Sequence, residues 1–340
     1  MSLRDINPSD FFRQSSPAER IKFLLRYAVL APSTHNSQPW LFKIEKDSCQ
    51  IFIDREKYKI KEADPIERDL YVSFGCLVEN LAVAASYFKV FKDLCFYESG
   101  DLIAEFFFMD LTRSNGGVDE NYASLLRSIT ARVNARGIFE KELLTKEFIS
   151  QIISFGRENV SINAITDKEK IKQLAGLTER GLRTAYASNS FRKEMSGWVR
   201  NSLSLKKDGI PGYSLRMPFF ISFIFPYILR WFNIGAKVGW LNRLSIASAP
   251  SVLVFTSKES NRRVWFETGR AAEQVMLSAC ALGLKTSIFV AAVEIGELYK
   301  EVQKVLDTNE VPQLLMCVGR LNFNQKPNSR YPVESKLMNK

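Results

Sequence analysis

At 340 residues the chain can hold one large domain or two of ordinary size, and a composition of 46% hydrophobic and 25% charged residues excludes a disordered protein. The formal net charge of +10 (47 Lys and Arg against 37 Asp and Glu) suits an anionic ligand, but the bases are scattered, which argues against a nucleic-acid groove. With one His and five widely spaced Cys, and no C-x-x-C pair, a zinc site of the usual kind is excluded.

The N-terminal residues are polar and charged, without a signal-peptide core, and the cysteines read as reduced thiols, so a cytoplasmic protein is expected. Residues 18–30 have helical spacing (Ile21, Leu24, Leu25, Ala28) and stop before Pro32, as a residue preceding proline should. Residues 40–44 and 49–54 read as two short strands about a polar turn, 69–88 as a long buried helix, and 94–97 and 103–110 as a second strand pair. In the second half, 146–155 is helical, 251–256 a strand and 265–282 a helix ended by Gly283. Residues 287–290 and 313–321 then read as strands. The halves therefore look like one unit used twice, residues 1–125 and 126–340, with an aromatic-rich insertion at about 181–242.

Within that insertion, residues 217–232 (MPFFISFIFPYILRWF) are apolar except for Ser222 and Arg230. The run is shorter than the ~20 residues of a spanning helix and carries Pro226 near its middle, so it is not a transmembrane segment. A lid over an apolar pocket, a partner contact and a membrane-surface contact remain as readings.

The most informative stretch is Ala31-Pro32-Ser33-Thr34-His35-Asn36-Ser37-Gln38-Pro39-Trp40. Its short hydroxyl and amide side chains, following a proline, suit gripping a polar ligand, although a helix N-cap loop would read similarly. With Phe42 the stretch resembles the AP-S-x-x-N-x-QPW-x-F signature of the nitroreductase-like FMN-binding family. Residues 129–136 with Phe139 resemble that family's Arg-rich pattern, Ala131 standing in place of one arginine. Residues 279–289, with Gly283-Leu284, resemble its A-x-x-x-G-L-G segment, with Lys285 in place of the second Gly, and Arg330-Tyr331-Pro332-Val333 resembles its R-x-P-V ending.

Each motif occurs once, so the layout is similar to the Acg-like branch, in which a fused double module keeps one site beneath a lid. The resemblance implies an α+β nitroreductase-like fold with a central antiparallel sheet and helices outside. The two modules would form an internal pseudo-dimer around one FMN. Its implied contacts are Ser33, Thr34, His35 and Asn36 at the ring and ribityl chain, Arg132, Asn134, Arg136 and Arg330 at the phosphate, and Gly283 and Leu284 near the flavin. Gln38 and Trp40 would brace the loop. Arg132 and Arg136, four apart, would point at one spot if they shared a helical turn.

No catalytic side chain is assigned, because His35 has no neighbouring acid and nucleophile to form a triad and flavin chemistry requires none. Asp64-Pro65 and Arg68 read as turn chemistry with a helix-start ion pair. With no G-x-G-x-x-G after a strand, NAD(P)H would be a transient reductant rather than the occupant of its own domain. The expected function is an FMN-dependent oxidoreductase, a nitroreductase type passing electrons to a small flat acceptor, acting as a monomer or homodimer. The alternative is a protein that sequesters FMN with little turnover.

Overall fold

Pro17 occupies the first turn of helix α1 (Pro17–Ala28), and the Ser16 hydroxyl accepts the Glu19 N–H there, so the helix starts where proline costs no hydrogen bond. The computed structural model describes residues 3–112 and 117–338. After α1 the chain forms a hairpin of β1 (Trp40–Ile44) and β2 (Ser48–Ile53), then the 20-residue helix α2 (Arg68–Tyr87), then β3 (Phe91–Phe96) and β4 (Leu102–Phe108). These strands make one antiparallel sheet in the order β1-β2-β4-β3.

Helices α3 (Ala123–Ala131) and α4 (Lys146–Ser154) follow, and then β5 (Ser161–Ile165). A long excursion contains α5 (Lys168–Ala187), α6 (Asn189–Trp198), the two-residue strands β6 (Val199–Arg200) and β7 (Ile210–Pro211), α7 (Ile221–Trp231) and α8 (Gly235–Ser248). The chain then returns through β8 (Ser251–Ser257), α9 (Arg262–Ala281), β9 (Lys285–Phe289), α10 (Ala291–Glu294), α11 (Leu298–Leu306) and β10 (Val311–Gly319). The second antiparallel sheet is ordered β5-β8-β10-β9.

Both sheets thus place their strands in the relative order first, second, fourth, third. In both, a 20-residue helix connects the second strand to the third. Those two helices, α2 and α9, pack on each other and each on its own sheet. A Cβ on Gly75 of α2 would overlap the Phe266 carbonyl oxygen of α9, and one on Gly269 would overlap the Val72 carbonyl oxygen of α2. The crossing is reciprocal, each glycine resting on the carbonyl three residues before the other. This α+β arrangement corrects the expectation of one central sheet: two sheets flank a shared helix pair.

The segment without a counterpart is residues 166–250, lying between the first two strands of the second sheet, where the first sheet has only a tight turn. The expected limits of 181 and 242 fall inside α5 and α8, and residues 125 and 126 both lie inside α3. Helix α2 alone among the described helices has the length and apolarity of a membrane span, and it is the buried core helix of the first sheet. Cys49, Cys76 and Cys317 are buried, Cys95 is exposed, and all five thiols are free.

Candidate functional site

Helix α1 ends at Ala28, and the chain turns into a short 3-10 turn at Thr34–Asn36. Three residues here occupy the left-handed region: His35 (φ 51°), Asn36 (φ 57°) and Gln38 (φ 52°). Such conformations cost side-chain-bearing residues about 1 kcal/mol or more each and persist only where the surroundings enforce them. Gln38, fully buried, does that. Its amide nitrogen donates to the Lys207 carbonyl at 2.8 Å and to Asn36 O at 3.2 Å, and its side-chain oxygen accepts Tyr331 N–H at 2.7 Å. The Ser33 hydroxyl accepts Gln38 N–H at 3.0 Å, and Lys336 Nζ donates to Gln38 O at 2.8 Å. Trp40 is fully buried and stacks edge-on against Phe74. Gln38 and Trp40 are therefore braces, as expected from the sequence.

Three guanidiniums converge behind the loop. Arg132 Nη2 donates to Leu30 O at 3.0 Å, and Arg330 Nε donates to Ala31 O at 3.2 Å. Arg4 Nη1 donates to the Thr130 and Arg132 carbonyls at 2.7 and 3.1 Å. The carboxylate among them is Glu273 of α9, fully buried, with Oε1 3.0 Å from Arg132 Nε. Burial raises Glu273 to about pH 7, with Arg132 opposing the rise. Burial, followed by the charges of Arg4 and Arg132, pushes the Arg330 guanidinium well below its usual value, and burial and Arg132 lower Arg4 to about 10. Cations lower one another when held close out of water, so this arrangement favours an anion.

Arg136 is elsewhere. Arg132 is the residue after α3 and is already extended (φ −61°, ψ 138°), so the two arginines share no helical turn. This corrects the expectation that they aim at one spot. Asn134 bridges to Thr286, and its Oδ1 accepts Ile288 N–H at 3.2 Å. Arg136 donates to Ile288 O at 3.0 Å and Asn242 Oδ1 at 3.1 Å, and lies over the Phe289 ring. Gly283, two residues past the end of α9, holds φ +72°, and Leu284 N–H reaches back to Ala279 O at 2.9 Å. The Gly283-Leu284 turn is a helix stop leading into β9.

His35 is held neutral. Burial, then the Arg136 charge, lowers its pKa to about 4, and its Nε2 has no partner among the described residues. Asn36 Oδ1 and Ser37 Oγ are likewise buried without partners among the described residues. On the other side of the loop, Thr34 N–H donates to Ser73 Oγ at 3.3 Å, and Ser73 Oγ donates to Asp69 O at 2.7 Å. Asp69 lies among Asp64, Glu294 and Arg68. Burial and then Asp64 raise it to about 7, and burial and then Asp69 raise Glu294. Asp64 accepts Leu70 N–H at 2.9 Å and the Tyr58 hydroxyl, which is the turn chemistry expected; Arg68 Nη1 donates to Val293 O at 3.3 Å.

Arg4, Glu273 and Asp69 were missed by the sequence reading. Arg4 carries no motif. Glu273 could have been noticed as a charge on the small-residue face of α9.

Covering the loop is the β6–β7 connection, not the apolar run. Lys207 O receives both Asn36 Nδ2 (3.0 Å) and Gln38 Nε2 (2.8 Å), and the cavity beside Asn36, bounded by Arg200, Lys206, Tyr213 and Lys326, is about 110 Å³. Ligand pockets usually run to roughly 300–1,000 Å³, so a flavin-sized ring needs this connection displaced. The buried guanidiniums and the orphaned polar atoms of His35, Asn36 and Ser37 fit a phosphate-bearing, polar cofactor.

No protein-family model matches the chain. A 67-residue stretch, 20% of the chain, is 36% identical to "Putative NAD(P)H nitroreductase Rv3131" of Mycobacterium tuberculosis, and the match spans about a fifth (19%) of that relative's length. Among solved structures, nitroreductase A from Vibrio parahaemolyticus aligns with 62% of this chain and 73% of its own at 17% identity, TM-score 0.38. The Vibrio harveyi NADPH:FMN oxidoreductase, complexed with NAD+, aligns with 62% of this chain and 74% of its own at 16% identity, TM-score 0.38. Superpositions this loose bear on neither mechanism nor substrate. In its motif loop the chain resembles the nitroreductase-like FMN-binding family, and its 67-residue stretch is similar to a relative described as a putative NAD(P)H nitroreductase.

Proposed function

We propose that this protein is an FMN-dependent oxidoreductase that takes electrons from NADH or NADPH and passes them to a small, flat, electron-poor acceptor. The observation that carries the reading is the convergence of Arg132 and Arg330 on the Leu30 and Ala31 carbonyls at the base of the Ala31–Trp40 loop, with Arg4 joined to the same cluster through the Thr130 and Arg132 carbonyls. Those arginines come from the N-terminus, the second half and the C-terminal segment, and the loop comes from the first half. Within this reading the chain is two fused modules, and one chain supplies both sides of its single site.

Bound FMN would supply the two-electron carrier. Arg4, Arg132 and Arg330 would hold its phosphate, and Ser33, Thr34, His35 and Asn36 would orient its polar edge, with Asn134, Arg136, Gly283 and Leu284 framing the β9 side. Neutral His35 offers a hydrogen bond without adding charge.

A second reading has its own observation. The Lys207 carbonyl, tied to both Asn36 and Gln38, closes the loop and favours a protein that holds FMN with little turnover. Anaerobic absorbance spectroscopy separates the two. The oxidoreductase reading expects protein-bound FMN that NADH or NADPH bleaches. Bound FMN reduced by dithionite but by neither nicotinamide supports sequestration. Arg4→Ala and Arg330→Ala should each weaken FMN uptake by about ten- to a hundredfold. Protein that takes up no FMN overturns both readings.

A further inference from the structure

We propose that helix α7 docks the protein onto an anionic phospholipid surface. Phe220, Phe223, Ile224, Tyr227 and Trp231 recur at helical spacing and form one stripe, and all five are exposed: 82% for Phe220, 68% for Tyr227 and 71% for Trp231. The opposite side is the one the fold uses. Leu229 is buried with Tyr186 and Val199, and Ser222 accepts the Ser202 N–H at 3.0 Å. The helix is therefore anchored by one face while its aromatic face meets solvent. Phe219 and Phe232 extend that face, and α8 exposes Trp240 and Leu241 after it. A contiguous aromatic surface of this kind is an interaction site unless covered.

Charge selects the occupant. From residue 209 to residue 257 the chain has no Asp or Glu, and its charged residues are Arg216, Arg230, Lys237 and Arg243. Arg243 is 3.2 Å from Glu179, but Arg230, over the Trp231 ring, and Lys237 at the start of α8 are exposed. A second copy seated on the same face would bring these cations against their own likes with no carboxylate from this segment between them. Anionic headgroups complement them, and Trp, Tyr and Phe are the side chains that settle at headgroup depth. At 11 residues α7 is about 16 Å long, far short of the ~30 Å hydrocarbon core, so it would lie in the surface plane. This docking is independent of whether the loop binds FMN.

The test uses the full chain in co-sedimentation with vesicles of phosphatidylcholine alone or with about one third phosphatidylglycerol. Partitioning should be at least about tenfold stronger on the anionic vesicles, and each of Arg230→Gln and Lys237→Gln should weaken it about fivefold. Phe220→Ser combined with Trp231→Ser should weaken it by more than tenfold, with an unchanged far-ultraviolet dichroism spectrum. On the unaltered protein, lipids brominated on the upper acyl chain should quench tryptophan emission. Protein that stays in the supernatant with anionic vesicles, or that binds neutral and anionic vesicles equally, overturns the proposal. So does a dimer in sedimentation velocity that the double substitution dissociates, because a second copy would then cover the face.

Discussion

His35 shows how one residue's surroundings decide its chemistry. It is the chain's single histidine, so its imidazole resonances can be assigned without ambiguity. Burial, then Arg136, lowers its pKa to about 4 in the fold, against about 6.5 in an unfolded chain. The unfolded state therefore binds the extra proton between those values. The sign follows: His35 contributes stability that is fully present above pH 6.5 and is lost as pH falls towards 4, at most about 3 kcal/mol. A proton NMR titration should find the ring neutral at pH 5, and His35→Gln should flatten that part of the stability profile. An imidazole titrating near 6.5 would mean that the fold does not desolvate the ring. The same scale explains the arginines: Arg132 and Arg330 were legible, but α3 ends at Ala131, so Arg132 and Arg136 share no helical turn. Spacing in sequence could not reveal where α3 stops.

At the scale of elements, the crossing of α2 and α9 holds the two sheets together. Gly75 and Gly269 lie at the closest approach, each against the other helix's backbone rather than a side chain that could move aside. Gly75→Ala and Gly269→Ala should each destabilise by about 3 kcal/mol or more, because relief requires the helices to part. Thermal unfolding measures this, and a loss below about 1 kcal/mol would mean the crossing is slack. The helix and strand pattern of both halves was readable from hydrophobic periodicity, and most boundaries fall within about three residues of expectation. Helices α3, α10 and α11 and strand β5 were not expected; the short sequence of β5, Ser161–Ile165, shows little alternation, and its pairing with β8 defines it. Without β5, the excursion from residue 166 to residue 250 could not be delimited.

Across the whole molecule, Gln38 ties together three segments remote in sequence: the motif loop, the β6–β7 connection at Lys207 and the C-terminal segment at Tyr331. Gln38→Ala removes the acceptor of the half-buried Tyr331 N–H and one of the two donors to the Lys207 carbonyl. It should cost about 2–3 kcal/mol of stability while loosening the connection over the loop. Hydrogen exchange should show faster exchange at residues 201–209 and 331. If stability falls but those amides keep their protection, the connection is held by something other than Gln38.

Sequence alone determined the motif loop, the α+β class and the repeated order of elements, because loop chemistry and hydrophobic period are local properties. It also determined that the 217–232 run is too short to span a membrane. Only the tertiary structure decided which arginines meet, that Arg4 and Glu273 belong with them, and that the β6–β7 connection rather than the apolar run covers the loop. Those outcomes depend on where helices end and on contacts between residues up to 300 positions apart, such as Arg330 with Leu30, which no local pattern encodes.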